Sequence, residues 1–271
     1  MSIVITGASG KLGSLIIEQL VQKVPPNQII ACVRRLESGE SFEQHGISVR
    51  QCDYDEPESL EQAFAGASQL LLISSSHHDD TTRLRQHAHA IEAAKKSKVE
   101  HLLYTSFAFP EHGSGSPVHL HLATEYAIRT TGIPYTFLRN ALYTDFVEVL
   151  DLETAIKKGQ LSISPGDWKF NSVTRLDLAL AIAAILSEPG GHMNTTYELT
   201  APNSWTFKDL AAALSDLTGT TISVHQDPQV RNWIYGFLNK IDTSSTSSDL
   251  EQLIGRPVTT LKESLKPFIQ C

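Results

Sequence analysis

No stretch of this chain is apolar for long enough to cross a bilayer, so no membrane span is expected. Basic residues are outnumbered: 22 Lys and Arg face 30 Asp and Glu, for a net charge of -8. No basic cluster traces the path of a nucleic-acid backbone, which argues against DNA or RNA as a ligand. Cysteine is sparse and odd in number. Cys32, Cys52 and Cys271 are widely spaced and read as reduced thiols of a cytoplasmic protein. The N-terminus lacks a basic stretch before an apolar one, so no signal peptide is expected.

Catalytic signatures are missing too. The chain has 11 histidines but neither His-Glu-x-x-His nor Cys-x-x-Cys. His87 and His89, two apart on an expected helix, cannot share a ligand sphere, and no metal site is expected. Gly113-Ser114-Gly115 falls short of a nucleophile elbow and reads as part of a flexible loop, Pro110 to Pro117, that could act as a lid. No tyrosine is followed four residues later by lysine; Tyr126 meets Thr130 and Tyr135 meets Arg139. Alcohol–ketone exchange through a Tyr-x-x-x-Lys pair is therefore not the expected chemistry.

What is present is a glycine turn between a strand and a helix. Ile3-Val4-Ile5 is a short buried strand, and Gly7, Gly10 and Gly13 follow at intervals of three. A helical apolar pattern then runs through Leu12, Leu15, Ile16, Leu20 and Val21. Strand, glycine turn and helix in this order build a diphosphate site, because the turn lets the backbone approach the phosphates and the helix offers unpaired amides. The amides of Gly7, Ser9, Gly10, Lys11, Leu12 and Gly13 are the candidate ligands.

Five further strands are predicted over 28–33, 47–51, 70–73, 101–105 and 135–138, with helices between them. The alternation predicts an α/β fold, a Rossmann-type doubly wound parallel sheet. Beyond residue 141 the rhythm changes. Short strands at 161–163, 197–200 and 222–225 and helices at 176–186 and 204–219 predict a smaller C-terminal α/β lobe. The expected division is 1–140 for the dinucleotide and 141–271 for the substrate. Asp242 to Asp249, rich in Ser and Thr, reads as a mobile loop.

The end of the second strand selects the nucleotide. An NAD protein usually places a carboxylate there for the ribose hydroxyls. This chain has Arg34-Arg35, and a guanidinium favours the 2′-phosphate of NADP(H). Arg34 is the expected ligand, with Arg35 as helper. Asp53 is placed to accept from the adenine amino group or to cap the next helix, and Ser74 and Ser75 to lie along a ribose. Phe107, Phe109, Trp168 and Phe170 are candidates to stack on a flat substrate, whereas Trp205 and Trp233 are expected in the lobe core.

These residues resemble the NmrA-like family of atypical short-chain dehydrogenases. The matching segments are Ile5 to Gly13, Leu70 to Ser76, Tyr104-Thr105-Ser106, Tyr135 to Asn140 and Leu253 to Pro257, and Leu138-Arg139-Asn140 followed by Tyr143 is the most telling. Within that family the chain looks most like bacterial NADPH:quinone oxidoreductases, with triphenylmethane reductase as a neighbour. The resemblance implies an NADP domain, a small C-terminal domain and a substrate cleft between them. It adds Thr105 and Asn140 to the cofactor set. It implies that Asn140, Tyr143 and Phe146 line the pocket, and Phe107, from the stacking candidates above, completes the substrate set. It also draws attention to His121, where plant ether-reductase relatives carry a catalytic lysine.

The implied activity is hydride transfer from NADPH to a quinone or similar electron-poor aromatic. That reaction needs position and a dry cleft more than a strong acid, and His121 could hydrogen-bond the developing oxyanion. The alternatives are reduction of a dye, azo bond, ether or conjugated C=C, and a non-catalytic NADP(H) sensor. A homodimer is compatible with all of them.

Overall fold

A computed structural model describes residues 1–269; Cys271 lies outside the described residues. The first half alternates β1 (Ile3–Ile5), α1 (Lys11–Leu20), β2 (Ile29–Val33), α2 (Glu40–Glu43), β3 (Ser48–Gln51), α3 (Pro57–Phe64), β4 (Gln69–Leu72), α4 (Asp80–Lys96), β5 (His101–Phe107), α5 (Ser116–Thr130) and β6 (Tyr135–Asn140). The second half contains β7 (Leu142–Tyr143), α6 (Leu152–Lys158), β8 (Gln160–Ile163), β9 (Lys169–Phe170), β10 (Ser172–Val173), α7 (Arg175–Ser187), β11 (Thr195–Leu199), β12 (Trp205–Thr206), α8 (Phe207–Thr218), β13 (Ser223–Gln226), α9 (Trp233–Leu238), α10 (Asp249–Ile254) and α11 (Leu261–Leu265).

Seven strands form one parallel sheet in the order β11-β6-β5-β4-β1-β2-β3. β1, β2 and β4 are buried at every position, as a parallel sheet covered on both faces requires. β3, at the edge, is half exposed and polar. Chain order reverses direction between β1 and β4, the switch point at which open α/β sheets hold ligands.

The expected boundary after residue 140 does not follow the packing. β11 extends the large sheet beside β6, and α7 packs along α1 beneath it. The composition of α7 explains its place. Its residues are apolar almost all round, and eight of the thirteen are buried, so a surface position was never available to it. Asp177 is enclosed in α7 because Arg256 Nη2 (2.7 Å), the Thr259 amide (2.9 Å) and the Thr174 hydroxyl (2.9 Å) satisfy its carboxylate. That clasp ties the segment after α10 to the large sheet.

The rest of the second half has its own apolar core, built from Leu152, Leu161, Phe170, Phe207, Leu214 and Ile234 among others. Trp205 belongs to this core, as expected. Trp233 does not; it is 69% exposed. α9 turns Ile234, Tyr235 and Leu238 inward, which leaves its first residue outside. The serine-rich segment is stitched to one carboxylate. Asp242 accepts the amides of Ser244 and Ser245 at 2.9 Å each, and α10 starts at Asp249.

Candidate active site

Gly7 opens the turn with φ +59°, a conformation that side-chain-bearing residues rarely adopt. Gly13 is required for a different reason: a Cβ there would lie 2.3 Å from the Gly7 carbonyl oxygen. Gly10 precedes α1 as its N-cap, with no side-chain cap and no acidic residue in the helix's first turn. The amides of Lys11, Leu12 and Gly13 thus have no intrahelical partner, and no carboxylate of the helix's own first turn competes for them.

Thr6 and Tyr54 hold the switch point in shape. The Tyr54 hydroxyl lies 2.6 Å from both Thr6 Oγ1 and the Ile73 carbonyl, and the Ile73 amide donates to Thr6 Oγ1 at 2.9 Å. Tyr54 gave no signal in the sequence, because its role depends on a long-range pairing.

Arg34 and Arg35 follow β2. Both are exposed, and neither guanidinium has an ion pair or hydrogen bond among the described residues. Asp53 Oδ1 accepts the Asp55 amide at 3.0 Å, which is a turn role, and its second oxygen has no partner among the described residues. Ser74 sits at the end of β4, where its amide donates to Thr105 Oγ1 at 2.8 Å. Ser75 spends its polar groups on protein partners. Its hydroxyl bonds Gln86, its amide donates to His87 Nε2 at 2.9 Å and its carbonyl accepts from Arg83. These bonds pin the start of α4.

Asn140 ends β6 opposite Phe107 of β5. It is 3% exposed; the Tyr143 hydroxyl lies near its side-chain amide, but among the described residues neither the oxygen nor the nitrogen makes a bond of full hydrogen-bond geometry. Such an amide is costly to enclose without a ligand. Next to it, Arg139 is held by three carboxylates: Glu125 through two bonds (2.9 and 2.8 Å), Glu111 through two (3.1 and 2.8 Å) and Glu198 at 2.9 Å. Burial would lower the guanidinium's pKa, but the bonds to Glu125 and Glu198 outweigh it and raise it. Burial raises Glu198 above the usual carboxylate range. The cluster joins β6, α5, β11 and the loop after β5.

That loop is anchored rather than free. Glu111 bonds Arg139, the amides of Ser114 and Gly115 bond the Lys240 carbonyl (2.9 and 3.1 Å), and Ser116 bonds Asp80. Phe109 stacks on His112, and its amide donates to Glu198.

Tyr143, on β7, lies under the Arg175 guanidinium at 4.4 Å, and Arg175 pairs with Asp145. A cavity of about 580 Å³ opens here between the first turn of α1 (Lys11, Ser14) and Thr144, Asp145, Arg175 and Phe268. Phe146 stacks on Trp205 at 5.7 Å and contacts Phe170 at 5.3 Å. Phe170 is completely enclosed, so it supports the pocket wall rather than stacking on a substrate. Trp168 is tied down by its Nε1 bond to the Ser164 carbonyl at 2.9 Å.

His121 lies on α5 beneath Phe107, ring centroids 6.2 Å apart. Its Nδ1 is 2.8 Å from the Tyr104 hydroxyl. Burial, with the positive charge of Arg83, holds it well below the usual histidine range. His87 is pushed down to about 3 for the same two reasons. His87 and His89 have separate partners, Thr124 and the Tyr54 carbonyl. Among the described residues no three metal-ligating side chains cluster, and no helix is long and apolar enough to cross a membrane.

An uncapped helix behind a glycine turn, two unpaired arginines after β2 and an orphaned amide at the sheet's C-terminal edge together fit a phosphorylated nicotinamide dinucleotide. Fold and site define a Rossmann-type dinucleotide-binding protein. More narrowly, the chain belongs to the NmrA-like family, whose model matches residues 1–240. It is 44% identical to triphenylmethane reductase of Citrobacter sp., solved with NADP(H). That pair has a TM-score of 0.92 over 99% of this chain and 100% of the other. It is 33% identical to an NADPH-dependent quinone oxidoreductase of Escherichia coli, solved with NADPH, with a TM-score of 0.87 over 99% and 100% of the two chains. Quinone oxidoreductase 2 of Escherichia coli (strain K12) is 35% identical over 97% of each chain.

Proposed function

We propose that this chain is an NADPH-dependent reductase of quinones or similar flat, electron-poor aromatics, triarylmethane dyes included. The observation that carries the reading is the enclosed, unpartnered amide of Asn140 at the C-terminal edge of the sheet. It needs a ligand group that both donates and accepts. The relatives' printed activities support the acceptor class.

When bound, the dinucleotide supplies a hydride. The first-turn amides of α1 hold its diphosphate, and Arg34, with Arg35 beside it, takes the 2′-phosphate. Ser74 and the free oxygen of Asp53 face the two nucleoside halves, while Thr105 holds the Ser74 turn. Asn140 orients the nicotinamide, and Phe107, Tyr143 and Phe146 enclose the acceptor in an apolar slot. Position and dryness do most of the work. With a quinone, the negative charge that would develop on the acceptor's oxygen takes a hydrogen bond from His121, and the product collects its proton from water; a triarylmethane cation would take the hydride at carbon to give a neutral product and needs no proton. Residues 1–140, completed by α7 and β11, serve the cofactor, and the remainder beyond 141 serves the acceptor. Buried, reduced Cys32 and Cys52 support a cytoplasmic location. A homodimer is the oligomeric part of the reading, checked by mass in solution.

The test is anaerobic NADPH oxidation with benzoquinones, naphthoquinones, triarylmethane dyes and azo dyes. Turnover with quinones or triarylmethane dyes is expected. Tight NADPH binding without turnover on any of them would mark a sensor and end the reductase reading.

A further inference from the structure

The hydrogen bonds around His121 fix more than its position. Tyr104 is fully enclosed in β5, and burial raises its pKa, so the phenol keeps its proton. An enclosed O–H needs an acceptor. The hydroxyl's neighbour within hydrogen-bond geometry is His121 Nδ1, at 2.8 Å. Thr124 Oγ1 also lies near the phenol and keeps one lone pair free, but among the described residues it is the His121 Nδ1 contact, and not the Thr124 one, that reaches full hydrogen-bond geometry. Thr124 Oγ1 donates to the Leu120 carbonyl at 2.9 Å and receives from His87 Nδ1 at 2.9 Å. The direction of that second bond is certain: His87 Nε2 accepts the Ser75 amide, so the His87 proton sits on Nδ1.

A neutral ring that accepts at Nδ1 carries its proton at Nε2. His121 Nε2 has no partner among the described residues, yet it is not among the enclosed orphan atoms, so it meets accessible space. The groups around the ring are Tyr104 on β5, Arg83 and His87 on α4 and Glu125 on α5 itself. Glu125 is committed to Arg139 and Ser106, so no free carboxylate favours the imidazolium.

We propose, building on the reductase reading, that Tyr104 locks His121 in the Nε2–H tautomer, so that His121 acts as a neutral hydrogen-bond donor to the reduced acceptor's oxygen and not as an imidazolium acid. Tyr104 is then a positioning residue. No proton leaves the ring during turnover.

The test is histidine-labelled ¹⁵N NMR of the protein without cofactor or acceptor, from about pH 5.5 to 8, with His121→Gln to assign the signal. A pyridine-type Nδ1, a pyrrole-type Nε2 and no titration are expected. Tyr104→Phe should mix the tautomers and lower kcat about tenfold, the equivalent of one hydrogen bond, with KM for NADPH unchanged. A proton on Nδ1 in the wild type, or titration near pH 6.5, would overturn the proposal. So would an unchanged tautomer in Tyr104→Phe; if that variant does not fold, the wild-type spectrum decides. Absence of turnover with any acceptor would overturn the reductase reading and leave the tautomer result standing.

Discussion

Gly13 and Gly7 touch backbone to backbone: a methyl group on Gly13 would lie 2.3 Å from the Gly7 carbonyl oxygen and 2.9 Å from the Ala8 α-carbon. The first turn of α1 can therefore sit behind β1 only with hydrogen at that position. Gly13→Ala is expected to cost about 1–3 kcal/mol through overpacking and to weaken NADPH binding at least tenfold, because the displaced turn carries the phosphate-facing amides. Thermal melts and cofactor titration check both. Unchanged affinity would mean that the turn is not the diphosphate site.

Asn140 allows a prediction of opposite signs. Leucine has nearly the same shape and removes two enclosed polar atoms that have no partner. Asn140→Leu should raise the stability of the cofactor-free protein by about 1–3 kcal/mol. It should also lower kcat/KM by ten- to a hundredfold. Urea unfolding of the cofactor-free variant, beside its quinone kinetics, gives the answer. A destabilised variant with full activity would show that the amide has a hidden structural partner.

Arg139 is the sole cation among three carboxylates, one of them, Glu125, with no exposed surface. Arg139→Met leaves that charge unpaired and should cost about 3–5 kcal/mol. Arg139→Met combined with Glu125→Leu should recover part of the loss. If the double variant is less stable than the single one, Glu125 is not the group that suffers.

His87 and His121 are both kept neutral, chiefly by burial. In the unfolded chain each titrates near its ordinary value of about 6.5. Below that pH the unfolded state binds protons that the folded state refuses, so stability falls as the pH falls. His87 keeps contributing down to about 3. The slope per group approaches about 1.4 kcal/mol per pH unit. Urea midpoints at pH 7, 6 and 5 should decline in that order, and a flat series would contradict the burial of both rings as neutral species.

The sheet was legible because its strands are almost pure apolar runs between glycine and polar punctuation. The glycine turn was legible because backbone geometry demands a residue type. The lobe boundary was not: α7 and β11 follow the lobe's first strands in sequence, and only their pairing with β6 and α1 returns them to the large sheet. The surroundings of Ser75 and Phe170 were hidden for a related reason. A serine after a strand looks the same whether it faces a ribose or, as here, Gln86, and an aromatic in a loop looks the same whether exposed or enclosed. Tyr104 and Tyr54 were silent because their hydroxyls act on partners 17 and 48 residues away.

The central claim is that the glycine turn and the unpaired arginine after β2 bind NADP(H). Calorimetric titration of the cofactor-free protein with NADPH and NADH, repeated for Arg34→Ala, tests it directly. NADPH should bind about ten- to a hundredfold more tightly than NADH, as a charge-assisted phosphate contact requires, and the variant should lose that difference while its NADH affinity stays the same. Equal affinities in the wild type, or no heat from either nucleotide, would contradict the account.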